Sequence, residues 1–337
     1  MRYLYALAAL LASTTASLAY NVSVAGWLIH NIATKDPLTR VGCEMKRDFQ
    51  NRTKLSMIVS TQYEWAIGVA DEDWNRQKGE VVDIAIRVDG KLVANVKATY
   101  LTAKSAVLPL SAAGSYRTLE AGQRLELETS KPPHNIAFQL VGAADAMYAV
   151  LDCVKTLLPR PPKTKSVPEQ NAQIVSANDV MRMLMSAFQS AGVQNYRLNP
   201  SAQQNGQISQ SITFDLPGGT SGMLLALRGS GTATADQYAR HVIGNLSDVC
   251  KGKFLSGVES IPTADGSVAR KVVSTCRAAN GFTLVAEVNI TRRSDGFLTE
   301  FTQFSSGDAG NSANDRSRAR LVDAVMKLQD GKLQDGH

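Results

Sequence analysis

The sequence lacks the short motifs that mark several common enzyme classes. It has no G-x-S-x-G, H-E-x-x-H or S-x-x-K segment, which disfavours α/β-hydrolases, zinc proteases and penicillin-binding enzymes. Histidine is also scarce, and its residues are isolated from one another: His30, His134, His241 and His337. We therefore predict no catalytic, cofactor-binding or metal-binding residue, and we favour a protein that is not an enzyme. A catalytic triad whose members meet only in the fold stays open as an alternative.

A hydrophobic segment long enough to span a bilayer is also lacking. Met1 and Arg2 precede a short apolar run, residues 3–11, and small residues follow up to Ser17-Leu18-Ala19. This order is typical of a secretory signal peptide. We predict cleavage near Ala19 and a periplasmic or secreted mature chain without a transmembrane segment.

Cysteine is sparse, with four residues and no C-x-x-C pair, which argues against a structural zinc site. In an exported chain, an even number of cysteines is typical of disulfides. We favour the pairs Cys43–Cys153 and Cys250–Cys276, because a basic, proline-rich segment lies between them and each bond then closes within one half. Four buried free thiols are the alternative.

Neither half of the chain carries a large excess of positive charge, although the formal net charge of the whole chain is +6. Residues 20–158 and residues 169–337 each carry 16 basic and 15 acidic side chains. Half of the surplus lies between them, on Arg160, Lys163 and Lys165. Nucleic-acid-binding proteins concentrate positive charge on one face or helix, so we predict no nucleic-acid partner.

Proline marks one boundary in the chain. The segment 159–168 contains four prolines, which cannot continue a helix or a central strand and favour an extended, basic linker. We predict one domain at 20–158, a second at 169–330 and a frayed tail at 331–337. The oligomeric state stays open.

Residues 20–158 have the pattern of a β-rich domain. The clearest hairpin signal joins 81–88 to 91–100 through Asp89-Gly90, a dipeptide that tolerates positive φ. Further short strands are predicted at 54–60, 64–70, 105–110, 124–128 and 135–140. After Gly142, apolar residues recur with a helical period: Met147, Val150, Leu151, Val154 and Leu158. We predict an antiparallel sandwich or partial barrel closed by this helix, which Cys153 would attach to the start of the β-structure.

Residues 169–330 have the pattern of an α+β domain. A helix that ends at Gly192 presents one apolar face: Val180, Met181, Leu184, Ala187 and Phe188. Thr234 and Gln237 fit a capping box at the start of a second helix, and a third helix is predicted at about 315–328. Five further segments predict an antiparallel sheet: 207–216, 223–228, 268–276, 282–291 and 297–304.

Two groups of residues are candidates for binding. Arg292 and Arg293 lie across a predicted turn from Glu300, and their forked donors can hold an anionic group. A cross-strand ion pair is the alternative, which we favour. Among the tryptophans, Trp74 follows an acidic turn and is the better candidate for a surface platform, although a core position is the alternative that we favour. Trp65 is predicted to be core.

Several residues together resemble a family of exported proteins. They are Gly26-Trp27, Gly42-Cys43-Glu44-Met45, Trp65, Trp74 and Leu151-Asp152-Cys153-Val154. Residues 20–158 thereby resemble small exported β-rich proteins of alphaproteobacteria, of the invasion-associated locus B type. The resemblance implies a periplasmic or surface protein without known enzymatic activity. No such resemblance extends to residues 169–337.

The leading hypothesis is a non-enzymatic cell-envelope protein that binds another envelope component, a protein or a glycan, through two disulfide-stapled domains. No cofactor is predicted. The alternatives are an envelope hydrolase whose site assembles only in three dimensions, and a periplasmic carrier with an apolar ligand pocket in the first domain.

Overall fold

A computed structural model of the chain describes residues 20–33, 40–50, 52–110, 114–129, 135–158, 172–174, 177–200, 211–216, 220–229, 234–261, 268–292, 297–306 and 320–325. The predicted signal peptide, linker and C-terminal tail lie outside these residues. Within them the protein is mostly β, with two antiparallel sheets and five helices, in agreement with the outline predicted from the sequence.

The first sheet contains ten strands. In chain order they are β1 (Asn21–Val24), β2 (Trp27–Ala33), β3 (Arg40–Asp48), β4 (Thr53–Ser60), β5 (Trp65–Asp71), β6 (Val81–Val88), β7 (Lys91–Thr102), β8 (Ser105–Leu110), β9 (Arg124–Thr129) and β10 (Asn135–Gln139). Their spatial order is β1-β2-β3-β4-β5-β8-β7-β6-β9-β10. Two helices belong to this half: α1 (Ser115–Ala121) and α2 (Ala143–Leu157).

The strands of this half alternate buried and exposed residues, as a sheet with one covered face requires. In β4, for example, Leu55, Met57 and Val59 are buried while their neighbours are not. The β6–β7 hairpin turns at Asp89 (φ 50°) and Gly90 (φ 76°). Two successive residues with positive φ match the right-handed twist of the flanking strands, so the hairpin prediction is confirmed.

Helix α2 fills the inner face of the first sheet. It packs on β2 and β3, and its apolar stripe is fully buried: Met147, Val150, Leu151 and Val154. A disulfide joins Cys153 to Cys43 of β3, with both residues buried. The inner face of the first sheet at β2 and β3 is therefore covered by the side chains of this helix.

The second sheet contains eight strands. In chain order they are β11 (Ala172–Ile174), β12 (Arg197–Pro200), β13 (Ser211–Leu216), β14 (Thr220–Gly229), β15 (Lys253–Ile261), β16 (Val268–Arg277), β17 (Thr283–Arg292) and β18 (Phe297–Ser306). Seven follow the spatial order β12-β13-β14-β18-β17-β16-β15, and β11 pairs with β14. Its helices are α3 (Ala177–Ala191), α4 (Ala235–Val249) and α5 (320–325).

Helices cover both faces of the second sheet. Phe188 of α3 packs on Phe214, whose ring stacks on Phe301. Helix α4 covers the opposite face, and its first turn carries the predicted capping box between Thr234 and Gln237. The Cys250–Cys276 disulfide ties the end of α4 to β16. Both disulfides are the pairs that the position of the proline-rich segment favoured.

The sequence did not predict α1 or β15. Helix α1 has seven residues, which is too short for a helical period to be recognised. In β15, the five residues from Phe254 to Val258 are buried in succession, because both faces of this strand are covered. The alternation that reveals a half-exposed strand is therefore missing there.

Candidate functional site

The two halves meet in a buried contact, which we call the joint, between α1 and β5 of the first half and β15 and β16 of the second. The ring of Tyr116 stacks on Trp65 at a centroid distance of 5.8 Å. Its hydroxyl donates to the carbonyl oxygen of Val273 at 2.9 Å. Burial raises the pKa of the Tyr116 hydroxyl, which keeps it a donor.

Two further hydrogen bonds attach the first half to β15. The Trp65 indole nitrogen donates to the Ser256 carbonyl oxygen at 2.8 Å. The backbone nitrogen of Val258 donates to the carbonyl oxygen of Tyr63, in the β4–β5 turn, at 3.0 Å. These bonds occupy part of the outer edge of the second sheet, which would otherwise expose unpaired backbone groups.

A group of charged and polar side chains, which we call the clasp, surrounds the joint: Glu120, Asp145, Tyr148, Lys253 and Arg277. The Glu120 carboxylate accepts from the Tyr148 hydroxyl at 2.5 Å and lies 2.9 Å from Arg277 Nη1. Lys253 Nζ lies 2.6 Å from Asp145. Both ion pairs join one half of the chain to the other.

These contacts make the described parts of the two halves one body. A single apolar cluster includes Met147 and Val154 of the first half with Leu255 and Val273 of the second. The domain boundaries at 158 and 169 stay a prediction, because the segment between them lies outside the described residues. Any surface on one half is therefore held in a fixed position relative to the other half.

The structure brings Glu300 into a buried position under α4. Its carboxylate accepts hydrogen bonds from the Tyr238 hydroxyl at 2.7 Å and from Thr302 Oγ1 at 2.8 Å. Burial, reinforced by the Glu300 charge, raises the pKa of Tyr238. Arg292 lies on the neighbouring strand opposite Leu298. Arg293 lies outside the described residues, so the predicted grouping of the two arginines with Glu300 stays a prediction.

Trp74 is not at the surface. Its side chain is 6% exposed and packs edge-on against Tyr100, with ring centroids 5.3 Å apart. The candidate surface platform at Trp74 is therefore wrong and the favoured core position is confirmed, because the turn that carries the residue folds its indole into the core. Trp65 is buried, as predicted.

The histidines offer limited support for the hydrolase alternative. His30 Nε2 lies 3.1 Å from Glu44, which is the geometry of a base and its orienting carboxylate. The other ring nitrogen is buried and meets no donor or acceptor among the described residues, so it is not directed at a hydroxyl nucleophile. Burial lowers the pKa of His30. His241 contacts Asn245 at 3.1 Å on the exposed side of α4.

An open groove of about 680 Å³ lies on the outer side of the first sheet. We call it the outer groove, and its lining is Asp83, Ile84, Ala85, Asn95, Glu128, Thr129 and Asn135. The groove combines carboxylate and amide side chains, which accept and donate hydrogen bonds. Glu128 is fixed by Arg87, whose Nε lies 2.8 Å away. None of these residues was predicted, since they come from four separate strands and form no sequence motif.

The described residues contain no cluster of three or more His, Cys, Asp or Glu side chains that could hold a metal ion. Within the same residues, no helix is long and apolar enough to cross a membrane.

Comparisons with known proteins give little further information. No protein-family model matches the sequence, and no curated protein matches it. The crystal structure of the hypothetical protein jhp0584 from Helicobacter pylori has 11% identity and a TM-score of 0.16, and the match covers 50% of this chain and 98% of that one. A structure of EspG has 11% identity and a TM-score of 0.18, over 82% of this chain and 89% of that one. At these scores the likeness supports no conclusion about fold or function.

Proposed function

We propose that this protein is an exported, non-enzymatic component of the cell envelope that binds another envelope component at the outer groove. The groove is the observation that carries the proposal. It is shallow and open, its polar lining consists mainly of carboxylates and amides, and it lies on a body braced by two disulfides. Carboxylates and amides pair with the hydroxyl groups of a glycan or with the backbone of a peptide.

Export supports this proposal from a separate direction. Disulfides persist in oxidising compartments, and the N-terminal residues have the order expected of a signal peptide. The resemblance of residues 20–158 to exported proteins of the invasion-associated locus B type agrees with the same location. The joint and the two ion pairs of the clasp hold the two halves together as one body, and a pre-organised body loses less entropy on binding.

The test is co-sedimentation of the oxidised protein with purified peptidoglycan sacculi, and its retention on immobilised lipopolysaccharide or outer-membrane proteins. We expect retention on at least one of these, and we expect Asn95→Ala together with Asn135→Ala to reduce it about tenfold, as loss of two hydrogen bonds predicts. Asn75→Ala, at an exposed asparagine outside the groove, is the matched control and should change nothing. Absence of retention on every component, or equal retention of all variants, would overturn the proposal.

A further inference from the structure

Three large apolar side chains remain exposed at one end of the second sheet. Val249 is 73% exposed, Phe282 is 54% exposed and Leu284 is 38% exposed; we call these three residues the apolar rim. The Cys250–Cys276 disulfide holds them close, because Cys250 follows Val249 and Cys276 pairs with Leu284 on the neighbouring strand. An exposed apolar cluster of this kind marks an interaction site.

The exposure of the rim follows from the place where α4 ends. Ile290 and Val288 of β17 are buried on the face that α4 covers. Leu284 continues that face, and Phe282 is the next alternate residue before it. Helix α4 ends at Val249, so its cover stops before these two residues. The rim is thus part of a core-forming face that the helix is too short to bury.

The charges beside the rim are balanced in sign. Asp248 and Lys251 are both exposed, and neither forms an ion pair in the described part of the chain. The two other cations nearby, Lys253 and Arg277, already belong to the clasp. An anionic membrane or a nucleic acid would be favoured by a surplus of positive charge, which this surface lacks. One unpaired charge of each sign fits a surface that meets a copy of itself.

We propose that the apolar rim is a two-fold interface between two copies of this chain, in which Asp248 of one copy faces Lys251 of the other. In a two-fold dimer both partners use the same patch, so each charge must find its complement within that patch. Phe282 is the central anchor, since aromatic side chains dominate the binding energy of interfaces. The rim is small beside the roughly 800 Å² per partner of a standard interface, so the dimer exchanges reversibly with monomer.

Sedimentation velocity of the oxidised full chain over a wide concentration range measures this equilibrium. We expect a monomer–dimer transition, and we expect Phe282→Ser to raise the dissociation constant about tenfold or more. Leu92→Ser is the matched control, because Leu92 is 51% exposed in the distant β6–β7 hairpin, and it should leave the constant unchanged. Circular dichroism checks that each variant is folded.

A charge exchange tests the two-fold arrangement itself. Asp248→Lys and Lys251→Asp should each weaken the dimer, because like charges then face each other, and the double variant should restore it. A monomer at every concentration, a dimer indifferent to Phe282→Ser, or a double variant that stays weak would overturn the proposal. So would a monomer that loses vesicle or partner binding on Phe282→Ser, since another occupant would then cover the rim. Asn95→Ala with Asn135→Ala should leave the dimer intact, which separates this test from that of the outer groove.

Discussion

Glu120 and Arg277 form an ion pair that joins the two halves of the chain. Arg277 Nη1 lies 2.9 Å from a carboxylate whose side chain is only 3% exposed. A buried carboxylate is costly unless charged or polar groups neutralise and hydrogen-bond it. Tyr148, in the same half, supplies the hydrogen bond, and Arg277, in the other half, supplies the charge. The first half therefore satisfies Glu120 fully only when the second half is packed against it.

Removal of Arg277 should therefore destabilise the whole protein. Arg277→Met leaves the Glu120 carboxylate buried without its cation, and we expect a loss of about 1–3 kcal/mol in the free energy of unfolding, below the value for a fully buried pair because Arg277 is half-exposed. The urea midpoint measures it. Lys97→Met is the control, since the Lys97–Asp83 pair lies in solvent, and it should have little effect. Equal midpoints for the two variants would contradict the assignment.

Local features of the fold could be predicted from the sequence. Asp89-Gly90 specified its hairpin turn, and Thr234 with Gln237 specified the start of α4, because each of these structures depends on residues within a few positions of one another. The apolar face of α2 could be predicted for the same reason, because its residues recur within a few positions of one another. The disulfide pairs required only that each bond close on one side of the proline-rich segment.

The joint could not be predicted in this way. Trp65 and Ser256 are separated by 191 positions and Tyr116 and Val273 by 157, so no local pattern records that they meet. Tyr116 and Glu120 lie four positions apart and share one face of α1, but this seven-residue helix is too short for that spacing to be recognised in the sequence. Trp74 shows the limit of local sequence in another way, since the acidic turn before it made it a surface candidate although its side chain packs in the core.

The hydrogen bond of Trp65 can be measured against a matched tryptophan. Trp65 Nε1 donates to Ser256 across the joint, whereas Trp74 Nε1 is buried and has no partner among the described residues. Phenylalanine at either position removes similar ring volume, but only Trp65→Phe leaves a carbonyl oxygen unsatisfied. We expect Trp65→Phe to lower the unfolding free energy by about 1 kcal/mol more than Trp74→Phe. Guanidinium unfolding followed by circular dichroism gives the difference, and a larger effect at Trp74 would disprove it.

Alkaline pH should weaken the joint. Burial raises the pKa of Tyr63 from 10.0 to about 12, so the folded chain holds this proton more tightly than the unfolded chain does. The resulting stability is fully present below pH 10.0 and is lost as the pH rises towards about 12. Tyr63→Phe removes this titration, so urea midpoints recorded across that window should fall less steeply for the variant than for the parent. Parallel curves would show that Tyr63 does not contribute.

The two disulfides should differ in their response to reductant. Cys250 and Cys276 are half-buried at the end of α4, whereas Cys43 and Cys153 are fully buried between β3 and α2. We expect a graded thiol reductant under native conditions to open Cys250–Cys276 first, and Cys43–Cys153 to react only as the first half unfolds, because exchange requires access to a sulfur atom. Differential alkylation with mass spectrometry follows each cysteine. Simultaneous reduction of both bonds would contradict the burial difference.

The two disulfides should also differ in their contribution to stability. Cys43–Cys153 spans 110 positions and Cys250–Cys276 spans 26, so replacing both members of a pair by serine should cost at most about 5 kcal/mol for the first and about 3.5 kcal/mol for the second.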